Sequence, residues 1–422
     1  MYDSVKAFEK KIRYNFLYRE ILRPIKYSIQ SALSDFFRKL RRKVYFCKKY
    51  TSINAELYTV VERSKNTVYS PVFINESSSK CQITISEPEI HVGVVDDVNV
   101  VSGTSLIIHD GVAYYPDLFC PEKQISPAEF IGYIDYDENF EKINLYFKGG
   151  YFAEEGIVLF GMITENWAHW ILEVIPKLLF VDELDIDSKI PIYIDSNVHK
   201  NFNEILDFVN VKKRKIIYSK KWRNIHFKKL VFVSPVSYTP PYFGDVFHNK
   251  TYPVASKDNH IFSKTALMKL KKLVLKKITE GYNYKKIYIH RSIKNSGNIR
   301  PIKDLYYIEA LAMQKGYIKI DPGDFSFSEQ VKIFMNAEKI IAPVGAALVN
   351  TIFCINKCKI LALVGNFDNA DYYYFSNLSG VLGHDLYYLK SNKIKNVENI
   401  LNVVYEYNER TLYDAINYFD SL

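Results

Sequence analysis

Between residues 190 and 364 the chain alternates β-rich runs with amphipathic helical runs, and no other feature narrows the possible folds as much. Apolar runs at 190–194, 215–218, 229–233, 286–290, 317–320, 339–342 and 360–364 predict strands. Helical spacing predicts helices over 203–209, 263–280, 303–315 and 328–336, with a short one after Ala347. A strand followed by a helix and another strand needs a long crossover, so the expected arrangement is a parallel sheet covered by helices on both faces. Residues 55–150 follow another pattern, with short β-rich runs at 81–85, 98–101, 105–108 and 143–147 parted by turn signals. Pro235, Pro240, Pro241, Gly244 and Pro253 crowd one stretch and mark a linker. A chain of 422 residues that is 48% hydrophobic can fill two cores. The expected division is a helical segment at 1–50, an α/β domain at 55–250, a second at 255–395, and a helical tail at 396–422 with no strand of its own to cover.

The helix expected over 166–180, NWAHWILEVIPKLLF, combines buried-core residues with a polar stripe. Residues three and four apart share a helix face, which groups Asn166, His169, Trp170 and Glu173. Leu172, Ile175, Leu178 and Leu179 cover the remaining surface, so protein should enclose most of this helix. Burying an unpaired polar group costs roughly 2–7 kcal/mol. The stripe is therefore either hydrogen-bonded within the fold or lines a cleft, and in a cleft His169 and Glu173 are candidates for proton transfer.

Charge is unevenly placed. Residues 1–50 hold 14 Lys/Arg against 4 Asp/Glu, a balance of +10 in a chain of net charge +9, which leaves −1 for the rest. A nearly neutral body argues against nucleic-acid binding, which needs a basic face on the folded domain. In the basic segment, Val5, Phe8, Ile12 and Phe16, then Ile25, Ile29, Leu33, Phe36 and Leu40, recur at helical spacing on either side of Pro24. Such helices suit an anionic membrane surface, or a hairpin packed on the body or on a partner chain. Five scattered cysteines fit a reducing compartment better than a disulfide framework, and buried thiols better than a zinc site. The N-terminus lacks an apolar signal-peptide core, and no run reaches the ~18–20 apolar residues of a membrane span. The expected location is the cytoplasm, peripheral to the membrane.

Pro343-Val344-Gly345-Ala346-Ala347 follows one predicted strand and opens a helix. Small residues there admit a ligand close to the backbone, and free N–H groups favour a phosphate; they serve tight helix-on-sheet packing equally well. Ligands of open α/β sheets bind at the C-terminal ends of strands. Arg291 closes the predicted strand 286–290 and Arg300 lies nine residues on, where a guanidinium fork can grip a diphosphate or simply meet solvent. Glu329 begins the next helix, a position that favours an acidic residue in any case.

These motifs resemble those of the family 61 glycosyltransferases. NWAHWILEVIPKL is similar to that family's Asn-x-x-His-Trp-x-x-Glu-x-x-Pro-(Arg/Lys)-Leu signature, with Lys177 at the basic position. IYIHRS, the Arg300 loop and FSFSEQVKIFMNAEKIIAPVGAALVNTIFC resemble its second half, where an arginine-bearing strand precedes a Gly-Pro-His-Gly-Ala-x-Leu-x-Asn loop. The likeness runs over roughly residues 150–390 in consistent order. It implies an α/β, GT-B-like architecture of two Rossmann-like domains facing a cleft, and an inverting reaction on a nucleotide-activated sugar. It also implies donor contacts from Arg291, Arg300, Glu329, Gly345, Ala346 and Asn350, and a place in bacterial surface-polysaccharide synthesis. One position departs: Val344 stands where the family has histidine.

The expected mechanism is direct displacement without a metal or other cofactor, the nucleotide sugar being a substrate. His169 is the expected base, its unperturbed pKa of ~6.5 lying near neutrality. Glu173 either orients the imidazole or is itself the base, and Asn166 and Trp170 shape the acceptor side, Trp170 as a platform for a sugar ring. Arg291, Arg300 and the amides of Gly345 and Ala346 neutralise the departing diphosphate. Rival readings are a membrane-bound assembly factor that lost donor chemistry through Val344, and a nucleic-acid binder using the basic arm. Donor, acceptor and oligomeric state are not legible.

Overall fold

The computed structural model describes residues 43–74, 76, 80–115, 134–136, 142–161, 163–196, 198–238, 256–292, 301–303, 305–368, 370–394 and 404–422. The helices expected within 1–42, and Arg300, lie outside these residues. The end of the basic segment corrects the expectation of a helical 1–50. Val44-Tyr45-Phe46 lies in a strand, β1 (Lys43–Lys49), because alternating β-branched and aromatic residues suit a pleated surface.

Strands dominate the first part: β2 (Glu56–Val61), β3 (Lys65–Tyr69), β4 (Gln82–Ser86), the long β5 (Ile90–Val101), β6 (Ile107–His109) and β7 (Val112–Tyr115). β8 (Ile134–Tyr136), β9 (Lys142–Leu145) and β10 (Gly150–Val158) complete it. Alternation then begins with helix α1 (167–181), β11 (Ile192–Asp195), α2 (Lys200–Val209), β12 (Ile216–Ser219) and β13 (Asn224–Val233). All of these strands except the β3–β4 pair, which forms its own two-stranded sheet, join a mixed 11-stranded sheet of order β12-β11-β10-β13-β5-β6-β7-β1-β9-β8, with β2 paired to β5. The four strands β12-β11-β10-β13 are parallel, and β13 meets β5 antiparallel. After β10 the chain builds outward through β11 and β12 and then returns to place β13 on the other side of β10. That reversal is a topological switch point, and α1 starts beside it.

β14 (Ser237–Tyr238) pairs with β15 (Ile261–Phe262), and α3 (Lys264–Lys277) follows. The remaining strands are β16 (Lys286–Ile289), β17 (Ile318–Ile320), β18 (Lys339–Pro343), β19 (Lys359–Asn366) and β20 (Asp385–Lys393), and their helices are α4 (Leu305–Gln314), α5 (Phe327–Met335), α6 (Tyr373–Leu382) and α7 (Glu409–Ser421). They form a fully parallel five-stranded sheet of order β17-β16-β18-β19-β20. Its switch point lies between β16 and β18. Two features were not anticipated. α6 and β20 had no predicted counterpart, and α7 does cover a sheet: Leu412, Ile416 and Phe419 pack with Tyr288, Leu361 and Leu389.

The two sheets are not independent in space. The β3–β4 hairpin, early in the chain, docks on the late α6, where Ser376 Oγ donates to the Tyr69 carbonyl at 2.8 Å. A Cβ on Gly380 would sit 2.6 Å from Val68 Cβ, so only glycine allows this approach. Val72 and Ile74 then pair with Tyr388 at the free edge of β20. One buried apolar core runs from α1, α2 and α3 to α5 and the helical turn Ala346–Phe353. Trp167, Phe202, Phe327 and Phe353 thread it, with ring centroids 5.2, 6.2 and 5.5 Å apart for Trp167–Phe202, Trp167–Phe327 and Phe327–Phe353. Among the described residues no helix is long and apolar enough to cross a membrane.

Candidate active site

α1 is not a uniform helix. Asn166 caps it, its side-chain oxygen accepting from the Ala168 N–H at 2.9 Å. Trp170–Val174 then form a π-turn, with the Ile175 N–H reaching back to the Trp170 carbonyl. Pro176 accounts for the widening: it has no N–H to offer the Leu172 carbonyl, and its ring collides with that carbonyl in a regular helix. Such turns concentrate at functional sites.

The expected stripe divides between His169 and Trp170, which as consecutive residues point to different sides of the helix. Trp170 is fully buried, stacks on Phe202 at 5.5 Å, and donates its indole N–H to the Phe202 carbonyl at 3.2 Å. It therefore packs the core and offers no face to a sugar, which corrects the acceptor-platform expectation. His169 and Glu173 remain together, 14% and 24% exposed, with Nδ1 and Oε1 2.9 Å apart. An ionised carboxylate can only accept, so the proton of a neutral imidazole sits on Nδ1 and the lone pair on Nε2. Burial lowers the His169 pKa, but the charge and hydrogen bond of Glu173 outweigh it and leave it above the ordinary 6.5. The arrangement is that of a base held in one tautomer by an orienting carboxylate.

The loop entering α1 hangs on a residue that sequence reading missed. Asp195 ends β11, fully buried, and its Oδ2 accepts from Thr164 Oγ1 at 2.7 Å and from the Gly161 N–H at 3.3 Å. Its Oδ1 has no hydrogen-bond partner among the described residues. Burial pushes this carboxyl from 3.8 up to about 6, against the lowering effects of Lys221, Thr164 and Gly161. A lone Asp after three apolar residues carries no motif that would have flagged it.

At the other switch point, Arg291 follows β16 and Val344-Gly345 follows β18. Arg291 Nη1 donates to the Val344 carbonyl at 3.0 Å. A Cβ at Gly345 would stand 2.5 Å from that nitrogen, so the missing side chain makes room for the guanidinium. The backbone there is extended (φ 165°), so space and not conformation calls for glycine. The segment Ala346–Phe353 is a tight 3₁₀ helix whose Leu348 N–H returns to Gly345, and the first amides of any helix lack intrahelical acceptors. The Val344 side chain, where the family has histidine, packs against the core.

One expected donor contact, that of Asn350, is corrected, and Glu329 is engaged at a helix cap. Glu329 closes a capping box: its carboxylate accepts from the Ser326 N–H at 2.8 Å and Oγ at 2.7 Å, while Ser326 Oγ accepts from the Glu329 N–H. Those hydrogen bonds from Ser326 lower its pKa. Ser326-x-x-Glu329 was readable as a capping box from sequence. Asn350 is fully buried, its Oδ1 accepting from Trp167 Nε1 at 2.9 Å and its Nδ2 donating to Gln330 Oε1 at 2.8 Å. It joins elements of the fold and does not face a ligand. Glu204 of α2 adds a second tie, accepting from the N–H groups of Phe327 and Ser328 at the start of α5.

The structure thus brings His169 and Glu173 together on α1, and Arg291 and Gly345 together at the second sheet. Trp167 on α1 and Asn350 in the 3₁₀ helix after Gly345 connect the two. The family model described as Glycosyltransferase 61 matches residues 167–361, which run from the first residue of α1 into β19 and include both clusters. No curated protein matches the chain.

Proposed function

Over residues 167–361 the chain belongs to the glycosyltransferase 61 family and is a glycosyltransferase; from that premise we propose that it transfers sugar with inversion, His169 serving as base. Nε2 of His169 takes the proton of an acceptor hydroxyl as that oxygen attacks the anomeric carbon, and Glu173 holds the ring and stabilises the imidazolium that forms. Arg291 and the amides that open the 3₁₀ helix receive the phosphate of the departing nucleotide, so the displacement proceeds without a metal. Proton removal by a positioned side chain contributes typically ~10²–10⁴-fold.

The observation that carries this reading is the hydrogen bond from Trp167 to Asn350, which ties the helix of His169 to the helix that begins after Gly345. The reading takes the two sheets as a GT-B-like pair, α1 belonging to the acceptor side and the β16/β18 switch point to the donor side. It extends to a saccharide acceptor in cell-surface polysaccharide synthesis and to a cytoplasmic enzyme whose basic residues before β1 rest on an anionic membrane. A thermal-shift screen against UDP-, GDP- and CMP-sugars tests it: at least one should raise the melting temperature, and Arg291→Ala should abolish the shift. No response to any of them would favour the rival in which Val344 has cost the protein its donor chemistry, leaving an assembly factor.

A further inference from the structure

We infer that Trp167, Asn350 and Gln330 form a positioning relay that sets the distance between the His169 base and the donor loop. The inference rests on the functional reading above and adds residues to it that touch neither substrate.

The relay is directional. The Trp167 indole N–H donates to Asn350 Oδ1, the Asn350 amide donates to Gln330 Oε1, and the Gln330 amide donates to the Phe325 carbonyl at 3.2 Å. Asn201 of α2 donates to the same carbonyl at 2.9 Å. Asn350 is fully buried and Gln330 nearly so, so no water can replace a lost partner cheaply. Turning either amide over would set N–H against N–H or oxygen against oxygen. One register therefore satisfies every group.

Each end of the relay sits on a rigid piece that carries a reacting element. Trp167 lies two residues before His169 in the first turn of α1, and its ring is wedged between Phe202 and Phe327. Asn350 lies five residues after Gly345 in a 3₁₀ helix, about 10 Å along at ~2.0 Å per residue. A shift of either helix along its axis breaks the chain of donors before it opens an apolar gap. Misplacing reacting groups by ~1 Å can cost ~10²-fold in rate, so this relay is where that precision resides.

Trp167→Phe removes the indole N–H and keeps a ring between Phe202 and Phe327. Transfer from UDP- and GDP-sugars should then fall at least ~10-fold per folded molecule, while UDP and GDP bind within twofold of wild type. A purely structural role would lower the melting temperature and leave turnover per folded molecule intact. The triple variant Trp167→Phe/Asn350→Leu/Gln330→Leu removes the relay's side-chain donors and acceptors together, with Asn201 still donating to the Phe325 carbonyl, which should recover part of the stability. The relay predicts that its rate stays low. Recovery of both rate and stability, or a Trp167→Phe enzyme with wild-type turnover, would overturn the inference. His169→Ala assayed alongside keeps the two readings apart: if it transfers sugar normally while Trp167→Phe does not, the base assignment fails and the relay stands only as a spacer between α1 and the donor loop.

Discussion

Replacing Gly345 by alanine probes the donor site through a single carbon. The new Cβ would lie 2.5 Å from Arg291 Nη1, 2.9 Å from Cζ and 3.4 Å from Nη2. Comfortable contact begins near ~3.5 Å, so the guanidinium must move on the order of 1 Å and release the Val344 carbonyl. Arg291 is the far end of a flexible chain, and alanine adopts the extended backbone at 345 freely, so the fold should lose little stability. Binding should suffer more. A hydrogen bond to a charged group contributes about 1.5–3 kcal/mol, which converts to roughly 10- to 150-fold in Kd. Calorimetric titration of UDP and GDP should show that weakening for Gly345→Ala and for Arg291→Ala. Because both changes remove the same seated guanidinium, the double variant should be no weaker than either single one by more than a few-fold. If Gly345→Ala binds both nucleotides as wild type does while Arg291→Ala does not, the arginine needs no such seat and the argument from space is wrong.

Three further outcomes follow from the same geometry. Asp195 binds its proton more tightly folded than unfolded, so its contribution to stability is present below pH ~4 and is lost as pH rises through about 6. Asp195→Asn should therefore gain stability relative to wild type by up to about 3 kcal/mol at pH 8 and show no such gain at pH 4; denaturant melts at both pH values with equal gains would refute this. Because the base must be neutral, kcat/KM should climb through a His169 pKa above 6.5, and Glu173→Gln should move that limb to lower pH by removing the groups that raise it; an unmoved limb in the pH–rate profile would exclude the pairing. Ser326→Ala should cost ~1 kcal/mol of stability and Glu329→Gln should leave UDP and GDP affinity within twofold, whereas a large loss of affinity in the second would return Glu329 to the donor site.

Legibility in the sequence followed how local each determinant is. The alternation that predicted a strand over 286–290 and a helix over 263–280 depends on nearest-neighbour periodicity, and β16 and α3 lie there. β1 was read as helix because its basic flank continues a helical pattern, while the strand's partners β7 and β9 lie ~60 to 100 residues away. The docking of β3–β4 on α6 depends on Gly380 meeting Val68, a contact no local window contains. Within the site, His169 and Glu173 were found because their pairing is an i,i+4 relation on one helix. Trp170 was misplaced because it directly follows His169 in a regular turn, and residues one apart do not share a helix face. Asn350 was assigned to the donor by motif position, but its partner Trp167 lies 183 residues earlier. Asp195 had no local signal, and its importance is visible only where the Thr164 loop folds onto it.

The central claim is that His169 removes the acceptor proton in an inverting sugar transfer. Its most direct test follows UDP and GDP release from a panel of α-linked nucleotide sugars with saccharide acceptors, reading the anomeric configuration of the product by NMR. The wild-type enzyme should yield the β-linked product, and His169→Ala should bind UDP or GDP normally yet transfer ~10²–10⁴-fold more slowly. An α-linked product, or a His169→Ala enzyme that transfers within a few-fold of wild type, would contradict the account.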